Sequence, residues 1–186
     1  MLRLFIAINL PAEIKKPLGK KVIDIKKRYQ KIKIRFTTAD QWHLTLVFLG
    51  YQPQNSLTPI TKAIEKVAKS LLKPLIINFD KITYGPAENK ARMIWLKTTK
   101  ETSVVLDDLK NKIERELTRE NLIWRKDKRI YQGHITLARF PLTSVNKLPK
   151  LDEVFQESFQ VKKIDLMKST LYQKGPEYEK LNSFDF

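Results

Sequence analysis

The 186-residue chain contains no cysteine, which excludes disulfide bonds, thiolate nucleophiles and thiolate-bound metals. It also has only five glycines and nine prolines, so no flexible linker or low-complexity tail is expected. No apolar run approaches the roughly 20 residues that span a bilayer. The short apolar run near the start alternates as a buried strand does and is not typical of a signal peptide. We therefore expect a cytoplasmic protein that does not associate with membranes.

Basic residues are in large excess. Lysine and arginine number 36 against 20 aspartates and glutamates, a net charge of +16. One interpretation is an attraction to a polyanion such as nucleic acid. The other is that a lysine-rich proteome charges every surface in this way, and composition leaves both open. The hydrophobic fraction of 42% is ample for a folded core, and the length fits one domain or two small lobes sharing a core.

The two halves of the chain resemble each other. Residues 41–50 read QWHLTLVFLG and residues 132–141 read QGHITLARFP, which places the two histidines 91 residues apart. The matching surroundings are an apolar strand candidate at 3–8 and 92–97, a helical stretch at about 12–31 and 101–120, and a Gly-Pro turn at 85–86 and 175–176. Chance would explain one match between short apolar strands but not agreement across several elements. The pattern therefore predicts an internal duplication.

Each half reads as strand, helix, histidine-containing strand, helix, strand. The second helix lies at about 57–72 in the first half, and a shorter counterpart is predicted near 151–157. We expect a single α+β domain over 1–186 with two pseudo-symmetric lobes from the halves at about 1–90 and 91–186. Each lobe is predicted to be a small, mostly antiparallel sheet with helices on its outer face. Equivalent residues would then face one another across a cleft between the lobes.

Both histidines lie in His-x-Thr-Leu. Because side chains alternate along a strand, His43 and Thr45 share one face, as do His134 and Thr136. A single such histidine is more often a structural residue than a catalyst. Two copies that use every histidine of the chain, in a duplicated frame, favour catalysis.

The residue types suit displacement at phosphorus. Imidazole has an ordinary pKa near 6.5, so at neutral pH one copy can take a proton from water while the other gives one to the leaving oxygen. Threonine hydroxyls and backbone N–H groups can bind the nonbridging oxygens. Two histidines lack the third ligand of a typical zinc site, and no Gly-x-Ser-x-Gly motif occurs. The prediction is an enzyme without metal or cofactor.

The paired motifs resemble the 2H phosphoesterase superfamily. The strings RLFIA at 3–7, WHLTLVFLG at 42–50, RMIW at 92–95 and HITLAR at 134–139 are similar to the RNA 2′,3′-cyclic phosphodiesterases, also called the LigT-like or 2′-5′ RNA ligase family. The resemblance implies a bilobal fold and metal-independent hydrolysis of RNA 2′,3′-cyclic phosphate ends, tRNA fragments among them, to 2′-phosphates. It also implies that His134 is the base and His43 the acid.

The same resemblance implies that Phe48 and Arg139 sandwich the terminal base. Each lies five residues after its histidine, and a regular strand would aim it away from the histidine's face. The strand must therefore end, twist or bulge in between. The alternatives are core packing for Phe48 and a surface ion pair for Arg139. Gly133 departs from the family's usual proline and is expected to loosen the entry to its strand.

Two other functions stay open as alternatives. A 2′-5′ RNA ligase acting on tRNA halves would use the same residues in the reverse direction. A non-catalytic module that binds RNA ends would use the same basic cleft but has no need of two titratable imidazoles. In each case we expect a monomer with RNA as its partner and no obligatory protein partner.

Overall fold

The computed structural model describes residues 1–71, 73–87, 91–140 and 148–186. Within these ranges the strands are β1 (Leu2–Asn9), β2 (Arg35–Phe36), β3 (His43–Gln52), β4 (Leu75–Gly85), β5 (Met93–Thr98), β6 (His134–Arg139), β7 (Asp152–Val154), β8 (Ser158–Val161), β9 (Lys163–Tyr172) and β10 (Gly175–Asp185). The helices are α1 (Ala12–Lys27), α2 (Leu57–Lys69) and α3 (Lys100–Arg119). The three long helices that the sequence predicts are thus present among the described residues. Leu72, the predicted end of α2, lies outside the described residues. None of the described helices has the length and apolar character needed to cross a membrane.

One predicted helix is wrong. The stretch near 151–157 contains the short strand β7, which pairs with β4 through Lys81 and Val154. The buried residues Leu151 and Phe155 are four apart, a spacing that a helix also produces. The extended ladder with β4 determines the structure here, and periodicity over so short a stretch does not distinguish the two.

The strands form two antiparallel sheets. The first has the order β10-β9-β1-β3, and the second has the order β2-β6-β5-β4-β7 with β8 also paired to β4. The antiparallel α+β architecture is therefore as the sequence predicts. Each sheet contains one of the two histidine strands, β3 in the first and β6 in the second.

The sheets do not follow the two halves of the sequence. β4 belongs to the first half but pairs with β5, and β9 belongs to the second half but pairs with β1. Each half therefore contributes its third long strand to the sheet of the other half. Because an isolated half would leave these strand edges unpaired, the two lobes are expected to fold as one unit.

β1 shows how the first sheet separates the main core from the face that carries His43. Leu4, Ile6 and Ile8 belong to the main hydrophobic core, which also contains the buried faces of all three helices. The alternate residues Phe5 and Ala7 point to the other side, where they form a small separate cluster with Met167 against Tyr178. The side of the sheet opposite the helices thus holds its own aromatic cluster, and this side carries the histidine.

Candidate active site

Both histidine strands carry a β-bulge at the same place. Along β3, Val47 lies opposite Ile6 but Thr45 lies opposite Ala7, so Leu46 is an extra residue. Along β6, Ala138 lies opposite Ile94 but Thr136 lies opposite Trp95, so Leu137 is extra. The burial patterns of 43–48 and 134–139 are identical: half-buried, buried, half-buried, buried, buried, exposed. The duplication has therefore preserved a bulge as well as a motif.

The bulges decide where Phe48 and Arg139 point. An extra residue reverses the alternation, so a side chain five positions after the histidine returns to the histidine's face. Phe48 is 46% exposed and is not part of the core. Within the described ranges, no carboxylate pairs with Arg139, whose Nη1 lies 3.1 Å from the sulfur of Met93. In both lobes the strand therefore bulges between the histidine and the residue five positions later, as the sequence analysis requires if Phe48 and Arg139 are to share the histidine's face.

Phe48 is also held from one side. The guanidinium carbon of Arg3 lies 4.7 Å from the centroid of its ring. Arg3 in turn donates from Nη1 to Ser169 Oγ at 2.7 Å. A cation above an aromatic face is a favourable arrangement that keeps the ring in place while leaving its other face available.

The imidazoles are oriented by the backbone in the same way. His43 Nδ1 lies 2.7 Å from the carbonyl oxygen of Gln41, and His134 Nδ1 lies 2.7 Å from that of Gln132. Because a carbonyl only accepts, each neutral imidazole carries its proton on Nδ1 and leaves Nε2 as the basic atom. Both rings therefore present the same nitrogen for chemistry.

Hydrogen bonds join the two histidine strands across the lobes. Trp42 Nε1 donates to Thr37 Oγ1 at 3.0 Å, and Thr37 Oγ1 donates to the carbonyl of Thr136 at 2.9 Å. In the other direction, Tyr131 OH donates to the carbonyl of Thr45 at 2.8 Å. The residues leading into each histidine thus bind the strand that carries the other, which brings the two motifs together at one groove.

The groove is basic and lowers the pKa of both histidines. Burial is the largest cause for His43, whose pKa falls to about 4, and the charges of His134 and Arg139 lower it further. Burial also lowers the pKa of His134, with the charges of Arg139 and Lys97 acting in the same direction. Because His43 responds to charge on His134 and both respond to Arg139, these three side chains share one electrostatic environment. At neutral pH both imidazoles are then neutral in the free protein, which differs from the prediction that one of them is protonated.

The threonine hydroxyls are available. Thr45 and Thr136 are half-buried, and among the described residues neither hydroxyl has a hydrogen-bond partner. The backbone carbonyl of Thr45 accepts from Tyr131, and that of Thr136 accepts from Thr37. A hydroxyl that donates to no neighbour can bind an oxyanion without first breaking another bond.

The packing around residue 133 explains why a glycine occupies this position. A Cβ at this position would lie 2.3 Å from Thr98 Oγ1 and 3.1 Å from Leu106 Cδ1. Its N–H donates to Ser103 Oγ at 3.1 Å, and a proline would lack that donor. The threonine and serine therefore occupy the space and satisfy the backbone at this strand entry, which is firmly held and not loosened as the sequence argument expects.

Several residues around the histidines were not predicted as site residues, although Phe5 and Trp95 lie in the strings that carry the family resemblance. Trp95 stacks on His134, while Phe5 and Tyr178 contact His43. Asp165 is a buried carboxylate that accepts from Asn9 Nδ2 at 2.7 Å. The one usable signal for Asp165 is an acidic residue inside the apolar strand β9.

Comparisons with known proteins agree with this architecture. The model of the family described as LigT-like phosphoesterase matches residues 8–95. An RNA 2′,3′-cyclic phosphodiesterase of Methanocaldococcus jannaschii is 29% identical over 183 residues, 96% of this chain and 97% of its own. TT0787 of Thermus thermophilus has a TM-score of 0.77 at 25% identity, and the complex of E. coli LigT with 3′-AMP has 0.76 at 24%. Each covers 99% of this chain and 97% of its own. In sequence and in fold, the chain is therefore similar to the LigT-like phosphoesterases of the 2H superfamily.

Proposed function

We propose that this phosphoesterase hydrolyses RNA 2′,3′-cyclic phosphate ends to 2′-phosphates without a metal, with His43 and His134 as general acid and general base. The observation that carries the proposal is a pair of imidazoles on two equally bulged strands, each with its Nδ1 bound to a backbone carbonyl. The residues that lead into the two strands, Thr37 and Tyr131, each donate to the histidine strand of the other lobe. The Methanocaldococcus relative, which matches over nearly the whole chain, supports the substrate class. The complex of E. coli LigT with 3′-AMP supports a nucleotide in a groove of this fold.

In this mechanism Nε2 of His134 takes a proton from water as the water oxygen attacks phosphorus. The bond from phosphorus to the 3′ oxygen breaks, and Nε2 of His43 gives its proton to that oxygen. The products are a 2′-phosphate and a 3′-hydroxyl, with His134 protonated and His43 neutral. Proton exchange with solvent restores the starting state. The carbonyls of Gln41 and Gln132 hold both rings throughout by accepting from Nδ1.

Substrate binding favours the protonated form of His43, which is the form that acts as the acid. Because burial lowers the pKa of His43 to about 4, this imidazole is neutral at pH 7 in the free protein. A phosphodiester anion in the groove favours the charged form and raises that pKa. The hydroxyls of Thr45 and Thr136 bind the nonbridging oxygens, and Phe48 and Arg139 bracket the terminal base.

The proposal is tested with an oligonucleotide ending in a 2′,3′-cyclic phosphate, incubated with the protein in excess chelator. We expect a product that carries a 2′-phosphate, identified by chromatography against the two phosphate isomers. The matched control is the double variant H43A/H134A purified in the same way, which should give none. A 3′-phosphate product would reverse the assignment of the leaving oxygen, and no hydrolysis by the unaltered protein would refute the proposal.

The same assay separates hydrolysis from ligation. A second RNA with a free 5′-hydroxyl is added at increasing concentration, because this hydroxyl can replace water as the attacking group, and the bond from phosphorus to the 3′ oxygen then breaks to leave a 2′-5′ linkage. We expect hydrolysis to remain the main reaction in dilute solution. A joined 2′-5′ product that dominates at low RNA concentration would favour the ligase alternative.

A further inference from the structure

Residues 122–132, called here the basic segment, connect α3 to β6 without forming a helix or strand. The segment is nevertheless fixed at both ends. Gln52 Nε2 donates to the carbonyl of Ile123 at 3.0 Å, and Tyr131 OH donates to the carbonyl of Thr45 at 2.8 Å. Because Gln52 ends β3 and Thr45 lies near its start, the basic segment runs antiparallel beside β3. β3 is the edge strand of the first sheet, so the basic segment flanks that edge.

The charges of the basic segment are mostly unneutralised. Residues 125–129 comprise four cations and one carboxylate. That carboxylate, Asp127, accepts from Arg129 Nε at 2.9 Å, and this pairing holds the pKa of Asp127 at about 2. Arg125 and Lys128 are exposed, and no carboxylate of the described ranges pairs with either of them. The basic segment therefore presents free positive charge to a partner.

Exposed apolar side chains lie on both sides of this block of charges. Ile123 is 87% exposed and Ile130 is 98% exposed. Between them, Lys126 Nζ lies 4.9 Å from the centroid of the Trp124 ring. A block of cations with exposed apolar surface at each end suits single-stranded nucleic acid, which offers both phosphates and the apolar faces of its bases.

The basic segment also reaches the groove. Gln132, the last residue of the basic segment, accepts from His134 Nδ1 at 2.7 Å, so this end lies against the second histidine. The middle of the basic segment passes the stretch of β3 that carries Phe48. A strand of RNA with its end between the histidines therefore meets the basic segment as it leaves the groove.

Building on the proposed function, we propose that the basic segment binds the nucleotides on the 5′ side of the cyclic phosphate and makes RNA strands better substrates than single nucleotides. An acidic peptide is the competing occupant. The phosphate chemistry of the adjoining groove and the exposed isoleucines favour RNA, because a carboxylate side chain would use the charges and leave the apolar surface uncovered.

The test compares R125A/K128A with the control K16A/K20A, which removes two exposed lysines from α1, outside the basic segment. The substrates are a 2′,3′-cyclic mononucleotide and a decanucleotide with the same end. Each phosphate contact contributes about 0.7 to the slope of log affinity against log salt, so the loss of two contacts lowers the slope by about 1.4. Relative to 1 M salt, where such contacts add little, this is a loss of about 25-fold at 0.1 M salt, and we expect kcat/KM for the decanucleotide to fall by that factor in R125A/K128A. The value for the mononucleotide should stay unchanged, and the control should change neither.

Binding of a labelled decanucleotide ending in a 3′-phosphate is measured beside turnover by fluorescence anisotropy, so the test does not depend on hydrolysis. We expect the salt slope to fall by about 1.4 in R125A/K128A. An equal loss for both substrates, an equal loss in the control, or an unchanged slope would overturn the proposal. If the unaltered protein hydrolyses neither substrate but the anisotropy difference is present, the proposed function fails and RNA binding by the basic segment stands. Preferential binding of a labelled poly-glutamate peptide would instead favour the acidic peptide.

Discussion

The two histidines share one backbone frame but have different aromatic neighbours. His43 has its ring centroid 4.9 Å from that of Phe5, tilted by 35°, and 5.0 Å from that of Tyr178 at 90°. His134 is stacked on Trp95, with centroids 3.8 Å apart and an angle of 24°. In the first lobe the position equivalent to Trp95, opposite the threonine of the motif, is Ala7. Duplication has kept the strand geometry and the hydrogen bond to Nδ1 while the surroundings of the rings have diverged.

The difference has a chemical meaning. A cation over an indole face is stabilised by about 0.5–2 kcal/mol, the larger values applying where water is excluded. Trp95 is only 6% exposed, and it lies against Gly85, where a Cβ would come within 2.2 Å of the indole. The ring is therefore held firmly under His134. This environment favours the positive charge that forms when His134 takes a proton, which supports its proposed role as the base.

Removing either imidazole should have the largest effect. We expect H43A and H134A each to lower kcat by about 10²- to 10⁴-fold, the usual contribution of a positioned acid or base. Binding of a decanucleotide should largely survive, because the charges of the groove remain. Single-turnover hydrolysis and anisotropy measure the two quantities separately. Near-wild-type turnover in either variant would show that the two histidines do not act as a pair.

The threonines test whether the two motifs contribute alike to charge stabilisation. T45A and T136A should each lower kcat by up to about 10²-fold, somewhat less than loss of a strong oxyanion donor, with little change in KM. T45S and T136S retain the hydroxyl and should recover most of the activity. A loss in the serine variants as large as in the alanine variants would assign the threonines to strand packing instead.

The aromatic neighbours allow the sharpest comparison of the two sites. W95L should lower kcat by about 2- to 30-fold, W95F less, and both should lower the pKa of His134 because the charged form loses its indole face. F5L, in the first lobe, should leave that pKa unchanged. Because the chain has two histidines only, ¹⁵N-detected titration resolves each imidazole. A fall in kcat with no change in the pKa of His134 would leave Trp95 with a packing role.

Part of this site can be predicted from the sequence, because the duplicated motif is visible there. Repetition of His-x-Thr-Leu located the histidines, and hydrophobic periodicity located the three long helices. The bulges leave a trace in the apolar doublets 46–47 and 137–138, which interrupt the alternation in both strands. The pairing of β4 with β5 and of β9 with β1 could not be predicted, because an apolar pattern indicates that a strand exists but not which sheet edge it joins. The stacking of Trp95 on His134 depends on packing between neighbouring strands, which no motif encodes.

The smallest expected effect, a shift along the pH axis, concerns what the two sites share. The base must be free and the acid protonated, so kcat/KM falls below the pKa of the base and above that of the acid in the free protein. Burial and cationic neighbours lower the pKa of both histidines, and His43 falls to about 4. The maximum of kcat/KM should therefore lie below pH 6.5.

The profile of kcat should lie at higher pH than that of kcat/KM, since bound phosphate stabilises the imidazolium. R139Q removes a charge that lowers the pKa of both histidines, so its maximum in kcat/KM should move to higher pH even as KM rises. The matched control is K16A, which removes a charge that is not among those lowering the pKa of either histidine and should leave the profile in place. A maximum above pH 6.5 in the unaltered protein, or a shift of R139Q to lower pH, would contradict a common field acting on both histidines. The two histidines would then titrate independently, and the two motifs would share their backbone geometry but not their electrostatic environment.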